Sequence, residues 1–309
     1  VSGARGERLA EALRHCRDVT RRRARNFYYG LKLTPEPQRS ALYSIYAWMR
    51  RADDLVDSAA DEGGGRRQAI DAFRAATDAA LDGAITGDDP LWVALSDTAS
   101  RYDVPREAFH GMLEGQIEDL TGRRYETFGE LRRYCERVAS TVGLICISIW
   151  GYRDPAAREL AVERGIAFQL TNILRDYRQD YDAGRVYVPQ EDFDRHRLTP
   201  ALLRKWDDPA RCRGLVLEQV ARTQGFYERS APLEGMITPS CRPTLWAMTT
   251  IYHGLLKKLQ RGPQRIVSDH RLRLSSMRKG IVALRARRLS PEVNALPARG
   301  RSGHGAQTS

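Results

Sequence analysis

Two short acidic clusters constrain this chain more than anything else in it: Asp53-Asp54-Leu55-Val56-Asp57 and Asp176-Tyr177-Arg178-Gln179-Asp180. In each, two carboxylates stand four residues apart, a spacing that puts both on one helix face, about one turn apart. Tyr46 and Arg50 continue the face of Asp53 and Asp57, and Asn172 continues that of Asp176 and Asp180. The runs leading into the clusters, 41–49 and 166–174, are strongly apolar. Carboxylates that extend a buried helix need a partner, and a bound cation is one. Two such stripes facing each other would form an oxygen-rich cavity suited to Mg²⁺, with Mn²⁺ as a substitute ion. Each cluster adjoins an arginine, Arg50 or Arg175, that can fork onto a phosphate. The residues therefore point to a Mg²⁺-assisted enzyme acting on organic diphosphates.

Helical periodicity dominates the rest of the chain, and strand-type alternation is scarce. The pattern predicts helices over about 6–26, 35–57, 66–82, 90–101 and 106–121. Thr34 and Pro35 read as the start of the second, and the glycine run at 63–65 ends that unit. Thr127 and Glu130 make a capping box for a helix running to about Trp150. Asp154 and Pro155 open the helix that carries the second cluster, Thr199 and Pro200 a short one, and Asp208 and Pro209 a longer one. Pro239 and Pro243 precede a helix to about 260, and a basic helix near 275–288 comes last. The expectation is a single all-α domain over 1–289, a helical bundle around a central cavity. The segment 290–309, rich in Pro, Gly, Arg and Ser, reads as a disordered tail.

Composition narrows the partners. No run of about 18 apolar residues appears, which argues against a transmembrane helix. The first residues, with Arg5, Glu7 and Arg8, lack the apolar core of a signal peptide. Five scattered cysteines without metal-ligand spacing suit reduced thiols and a cytoplasmic setting. The net charge is +11, and between Lys257 and Arg288 eleven Lys or Arg face a single acid, Asp269. Such a surface can attract nucleic acid, anionic lipid or an anionic substrate. A basic nucleic-acid-binding protein is the reading from another class. No helix-turn-helix or zinc pattern supports it, and the acidic clusters would repel phosphates, so no nucleic-acid partner is expected. Peripheral contact of 257–288 with the inner face of an anionic membrane remains an expectation.

The segments 46–57 and 169–176 resemble the two signature regions of the squalene/phytoene synthase family. The second continues to Gly184-Arg185-Val186-Tyr187-Val188-Pro189, similar to the family's GR-x-Y-x-P segment. Tyr134-Cys135-Glu136-Arg137-Val138-Ala139-Ser140-Thr141-Val142-Gly143 resembles its YC-x-x-VA-x-x-VG helix. Phe27-Tyr28 and 271–279 sit where the family has related segments, so the resemblance spans about 20–288. It implies an isoprenoid-synthase-type fold and head-to-head condensation of two prenyl diphosphates through a cyclopropyl diphosphate intermediate. By that resemblance Asp53, Asp57, Asn172, Asp176 and Asp180 bind the metal. Arg50, Arg175 and Arg185 grip diphosphate, and Tyr46, Tyr187 and Tyr252 line the cavity near the reacting carbons. Met49, Leu144, Ile147 and Phe168 are candidate wall residues.

Two positions depart from the pattern. Glu136 stands where many members carry a tyrosine, and Arg23 where histidine or another polar residue is common. Within the family, two C15 substrates give presqualene diphosphate or, with NADPH, squalene, whereas two C20 substrates give phytoene by proton loss. Residues 27–30 and the Glu136 helix lean the reading toward the squalene branch, with the phytoene branch as the alternative.

Overall fold

The computed structural model describes residues 2–24, 26–58, 65–85, 87–120 and 122–289. The glycine run at 63–64 and the segment 290–309 lie outside them, as do the side chains of Phe27, Asp57 and Lys279. The described residues form α1 (Ser2–Arg23), α2 (Asn26–Leu31), α3 (Gln38–Ser58), α4 (Gly65–Leu81), α5 (Pro90–Arg101), α6 (Arg106–Leu120) and α7 (Phe128–Cys135). After a π-helical turn (Glu136–Ser140) come α8 (Thr141–Trp150), α9 (Ala157–Asp182), α10 (Gln190–Arg195), α11 (Pro200–Lys205) and α12 (Pro209–Arg229). The chain continues with α13 (Leu233–Met236), α14 (Arg242–Arg261) and α15 (Ser276–Arg288). Extended pairing among the described residues is limited to one bridge, Tyr152 with Ile237. None of the helices is long and apolar enough to cross a membrane.

Local chemistry sets most helix starts. Asp89, Thr199 and Asp208 each accept a bond from a first-turn amide, and each is followed by proline at the first helical position. Three expected starts differ. The Thr34 hydroxyl is spent on Thr244, 2.8 Å away, so α3 begins at Gln38 and Glu36 accepts the Ser40 amide at 3.1 Å instead. Thr127 caps Glu130 as expected, but the Glu130 carboxylate makes its main bond to the amide of Glu126, at 2.8 Å, with that of Thr127 the lesser partner. Asp154 accepts the Ala156 amide at 2.9 Å, yet a turn intervenes before α9 begins at Ala157.

Two cores organise the helices. In the first, around α3, α5, α6 and α8, Trp48 is fully buried against Phe109 and Phe73, with ring centroids 4.9 and 5.6 Å away. Its indole N–H donates to Thr77 at 2.9 Å, which removes the cost of burying that donor. The second gathers α7, α9, α12 and α14 around side chains such as Phe193, Leu215 and Leu259. Each large apolar side chain so buried contributes about 1.5–3 kcal/mol before entropy is counted. The π turn packs directly on α9: a Cβ added to Gly165 would lie 2.6 Å from Ser140 Cα, so only glycine permits the approach. Ser140 Oγ then donates to the Val162 carbonyl at 2.8 Å.

Candidate active site

A cavity of about 360 Å³ is lined by side chains of both cores and is mostly apolar. Polar groups reach it from several helices: α3 supplies Tyr46 and Asp53, α6 supplies Gln116 and Asp119, α9 supplies Arg164, Gln169 and Asn172, and α7 and α14 add Tyr134 and Tyr252. Asp53 lies within the last two turns of α3, and Asp176 and Asp180 within the last two turns of α9. There the negative end of the helix dipole already opposes carboxylates, so cations must gather.

They do. Arg271 meets Asp176 in a bidentate pair, Nε at 2.7 Å and Nη2 at 2.6 Å, and Arg175 Nε adds a contact at 2.9 Å. Burial works against charge on Asp176, but the two guanidiniums outweigh it and hold the carboxyl below the usual carboxylate range. One turn on, burial and the neighbouring charge of Asp176 push Asp180 up to about 6, against the pull of Arg185 and Arg271. Arg185 itself is exposed, and its backbone N–H donates to the Asp180 carbonyl at 2.7 Å.

On the α3 side, Asp53 accepts a hydrogen bond from Gln116 Nε2, and Arg50 stands 3.6 Å away. Arg50 makes its closer pair with Asp54, which also takes Arg23 at 3.0 Å. Arg50 and Arg23 thus border an adjoining pocket with Arg22 and Arg51, not the main cavity. Asp57 follows one turn after Asp53 in α3, with its side chain outside the described residues. Glu136 pairs with Arg132 at 2.9 Å and does not line the cavity.

The tyrosines divide. Tyr46 and Tyr252 line the cavity, and burial pushes the Tyr252 hydroxyl up to about 12. Tyr187 stands one layer back, its ring stacked 5.4 Å from that of Tyr134, which takes the place at the wall. Both hydroxyls donate to Asp119, at 2.7 Å from Tyr134 and 2.9 Å from Tyr187. Burial raises Asp119 above the usual carboxylate range although both phenols oppose it, and burial likewise raises the two phenols. Among the wall candidates Met49, Ile147 and Phe168 line the cavity, while Leu144 packs against the first core.

The motifs in the sequence do not by themselves assign Gln116, Asp119 or Tyr134 to the site. A signal existed: Met112, Gln116 and Asp119 recur at i, i+4 and i+7, the same mixed stripe that marks α3. Gln116 of α6 bonds Asp53 on α3 while the charge of Asp119 acts on Asp180 of α9, so the polar face of α6 is linked to both acidic helices.

The donor set fits a hard divalent cation. Asn172 Oδ1 and Gln116 Oε1 are buried with no hydrogen-bond partner, a cost of about 1–3 kcal/mol each unless something pairs with them. Among the described residues no three Asp, Glu, His or Cys side chains form a ready metal cluster. Mg²⁺ is ordinarily held by one or two carboxylates together with water and substrate phosphate oxygens.

A family model described as squalene/phytoene synthase matches residues 20–278. A phytoene synthase of Mycobacterium bovis is 36% identical over 296 residues, covering 94% of this chain and 95% of the relative. A 15-cis-phytoene synthase of Synechococcus elongatus is 35% identical over 268 residues, covering 82% of this chain and 85% of its own. Among solved structures, a dehydrosqualene synthase in complex with ligand superposes with a TM-score of 0.81 at 26% identity, over 92% of this chain and 98% of that one. A squalene synthase from Alicyclobacillus acidocaldarius gives 0.75 at 28% identity, over 82% of this chain and 94% of that one. With this helical fold, these motifs and this coverage, the chain belongs to the squalene/phytoene synthase family, prenyltransferases that condense two prenyl diphosphates head to head.

Proposed function

We propose that the chain condenses two C20 prenyl diphosphates to phytoene. The observation that carries the choice is the likeness, at 36% and 35% identity, to phytoene synthases over most of the chain. The lean toward the C15 branch gives way to that likeness, and Glu136, on which it partly rested, is paired to Arg132 and does not line the cavity.

In this reading Asp53, Asp57, Asn172, Asp176 and Asp180 would hold Mg²⁺, and the ion would supply positive charge that eases departure of the diphosphate. Arg175 and Arg271 neutralise Asp176 in the structure, and both can exchange that carboxylate for phosphate oxygens. Arg185 adds charge at the rim and Arg50 from the adjoining pocket. Departure of the first diphosphate leaves an allylic cation that attacks the double bond of the second chain. Ionisation of the resulting cyclopropyl diphosphate, rearrangement and proton loss give the product. No hydride enters, so NADPH has no part in the C20 reaction. Asp119 orients the Tyr134 hydroxyl at the wall, and the faces of Tyr46, Tyr252 and Phe168 stabilise positive charge. Met49 and Ile147 keep the cavity dry, which protects the cation from water.

The test is to supply C15 and C20 diphosphates separately, with and without NADPH, and identify the lipid. Phytoene from the C20 substrate without reductant is expected. Preferential turnover of the C15 substrate would overturn the C20 assignment while leaving the family intact.

A further inference from the structure

Among the described residues five large apolar side chains stand exposed, and four belong to α15 or the residue after it: Met277 at 75%, Ile281 at 44%, Leu284 at 55% and Leu289 at 48%. Met277, Ile281 and Leu284 recur at i, i+4 and i+7 and so form one outward stripe. The opposite face, Val282 and Ala286, is buried on Ala247 of α14 with Leu33 and Trp246 alongside. The helix is therefore docked by its smaller apolar side and turns its larger one out.

Charge follows the same division. Earlier in the basic stretch, Arg271 is engaged by Asp176 and Lys258 by the Arg273 carbonyl at 2.6 Å. The sequence of α15, by contrast, carries five Lys or Arg and no acid. Beside it, against α14, runs a groove of about 490 Å³ that brings His253, Lys257, Arg278 and Arg285 together with Trp246 and Ile281. Its acid, Glu234, is paired with Arg164 at 3.3 Å. Cations beside an aromatic ring and an apolar stripe match the chemistry of a bilayer interface, where acyl chains meet the stripe and phosphates meet the guanidiniums.

We propose that α15 docks the protein on an anionic phospholipid bilayer, with the Met277–Ile281–Leu284 stripe inserted among acyl chains and the α14–α15 groove holding a lipid phosphate. The inference rests on the surface alone and not on the choice of substrate. It also places the bilayer one helix from the cavity, because α14 gives Leu245, Met248 and Tyr252 to the cavity wall and Ala247 to α15.

Vesicle co-sedimentation of the full chain tests this. Binding to phosphatidylglycerol-containing vesicles is expected to exceed binding to pure phosphatidylcholine by about tenfold or more at low salt. The triple variant M277E/I281E/L284E should lose about tenfold or more of that binding, with helical circular dichroism and turnover of detergent-dispersed substrate retained. R278E/R285E should lose the salt-sensitive part, and soluble glycerophosphate should not displace the wild type. The proposal is overturned by no binding, by equal binding to both vesicle types, by a triple variant that binds like wild type, or by displacement with glycerophosphate. A wild-type dimer that the triple variant turns into a monomer would overturn it too, since a second copy would then cover the stripe.

Discussion

The carboxylates of the site differ in what neutralises them. Asp176 is held by two guanidiniums, Asp53 by an amide and a more distant arginine, and Asp119 by two phenols. Asn at Asp53 or Asp176 keeps the shape and removes the charge. Either variant is expected to lose on the order of a hundredfold or more in turnover with its melting transition preserved; near-normal rates would contradict the metal-site assignment. Asp180 makes the pH test. Its carboxyl is pushed up to about 6, above the roughly 3.9 of an unfolded aspartate. Its contribution to folding is therefore favourable on the acid side and is lost as pH rises from about 4 through 6. Cation binding runs the other way, because a proton on Asp180 competes with the ion. The rise in melting temperature on adding Mg²⁺ should be larger at pH 7.5 than at pH 5.5, and Asp180→Asn should flatten that difference.

At the scale of elements, the π turn between α7 and α8 is where backbone geometry serves the site. It carries Val138 and Ala139 to the cavity wall, and Gly165 on α9 packs against it. Gly165→Ala forces a methyl into the Ser140 backbone and is expected to cost about 1–3 kcal/mol in urea unfolding. Unchanged stability would mean that the two elements separate freely. Helix starts governed by short-range chemistry, at Asp89, Thr199 and Asp208, are legible from residues alone. Thr34 misleads because its hydroxyl has a tertiary partner, Thr244, 210 positions away. The π turn is equally silent in sequence, since its residues keep helical periodicity and the extra residue per turn answers to packing on α9.

Across the whole molecule, Arg164 ties the far wall of the cavity together. It is 3% exposed, and from α9 it reaches Ser230 after α12, Glu234 in α13 and Thr249 in α14. Burial lowers its pKa, and Glu234 works to restore it. Arg164→Met leaves the Ser230 carbonyl and Glu234 without their charged donor, and a loss on the order of 3 kcal/mol is expected by chemical denaturation. Removing the stranded acid as well, in R164M/E234Q, should recover part of it. Full stability in the single variant would show that the wall holds without this arginine.

The helical class, most helix starts and the acidic pairs are legible in the residues alone, because each follows from side chains within about one turn of one another. It took the folded chain to set Gln116 of α6 against Asp53, to bring Tyr134 rather than Tyr187 to the wall, and to turn Arg50 to Asp54. Those outcomes depend on which faces of distant helices meet. That is settled when the two cores close around the cavity, and no short-range spacing records it.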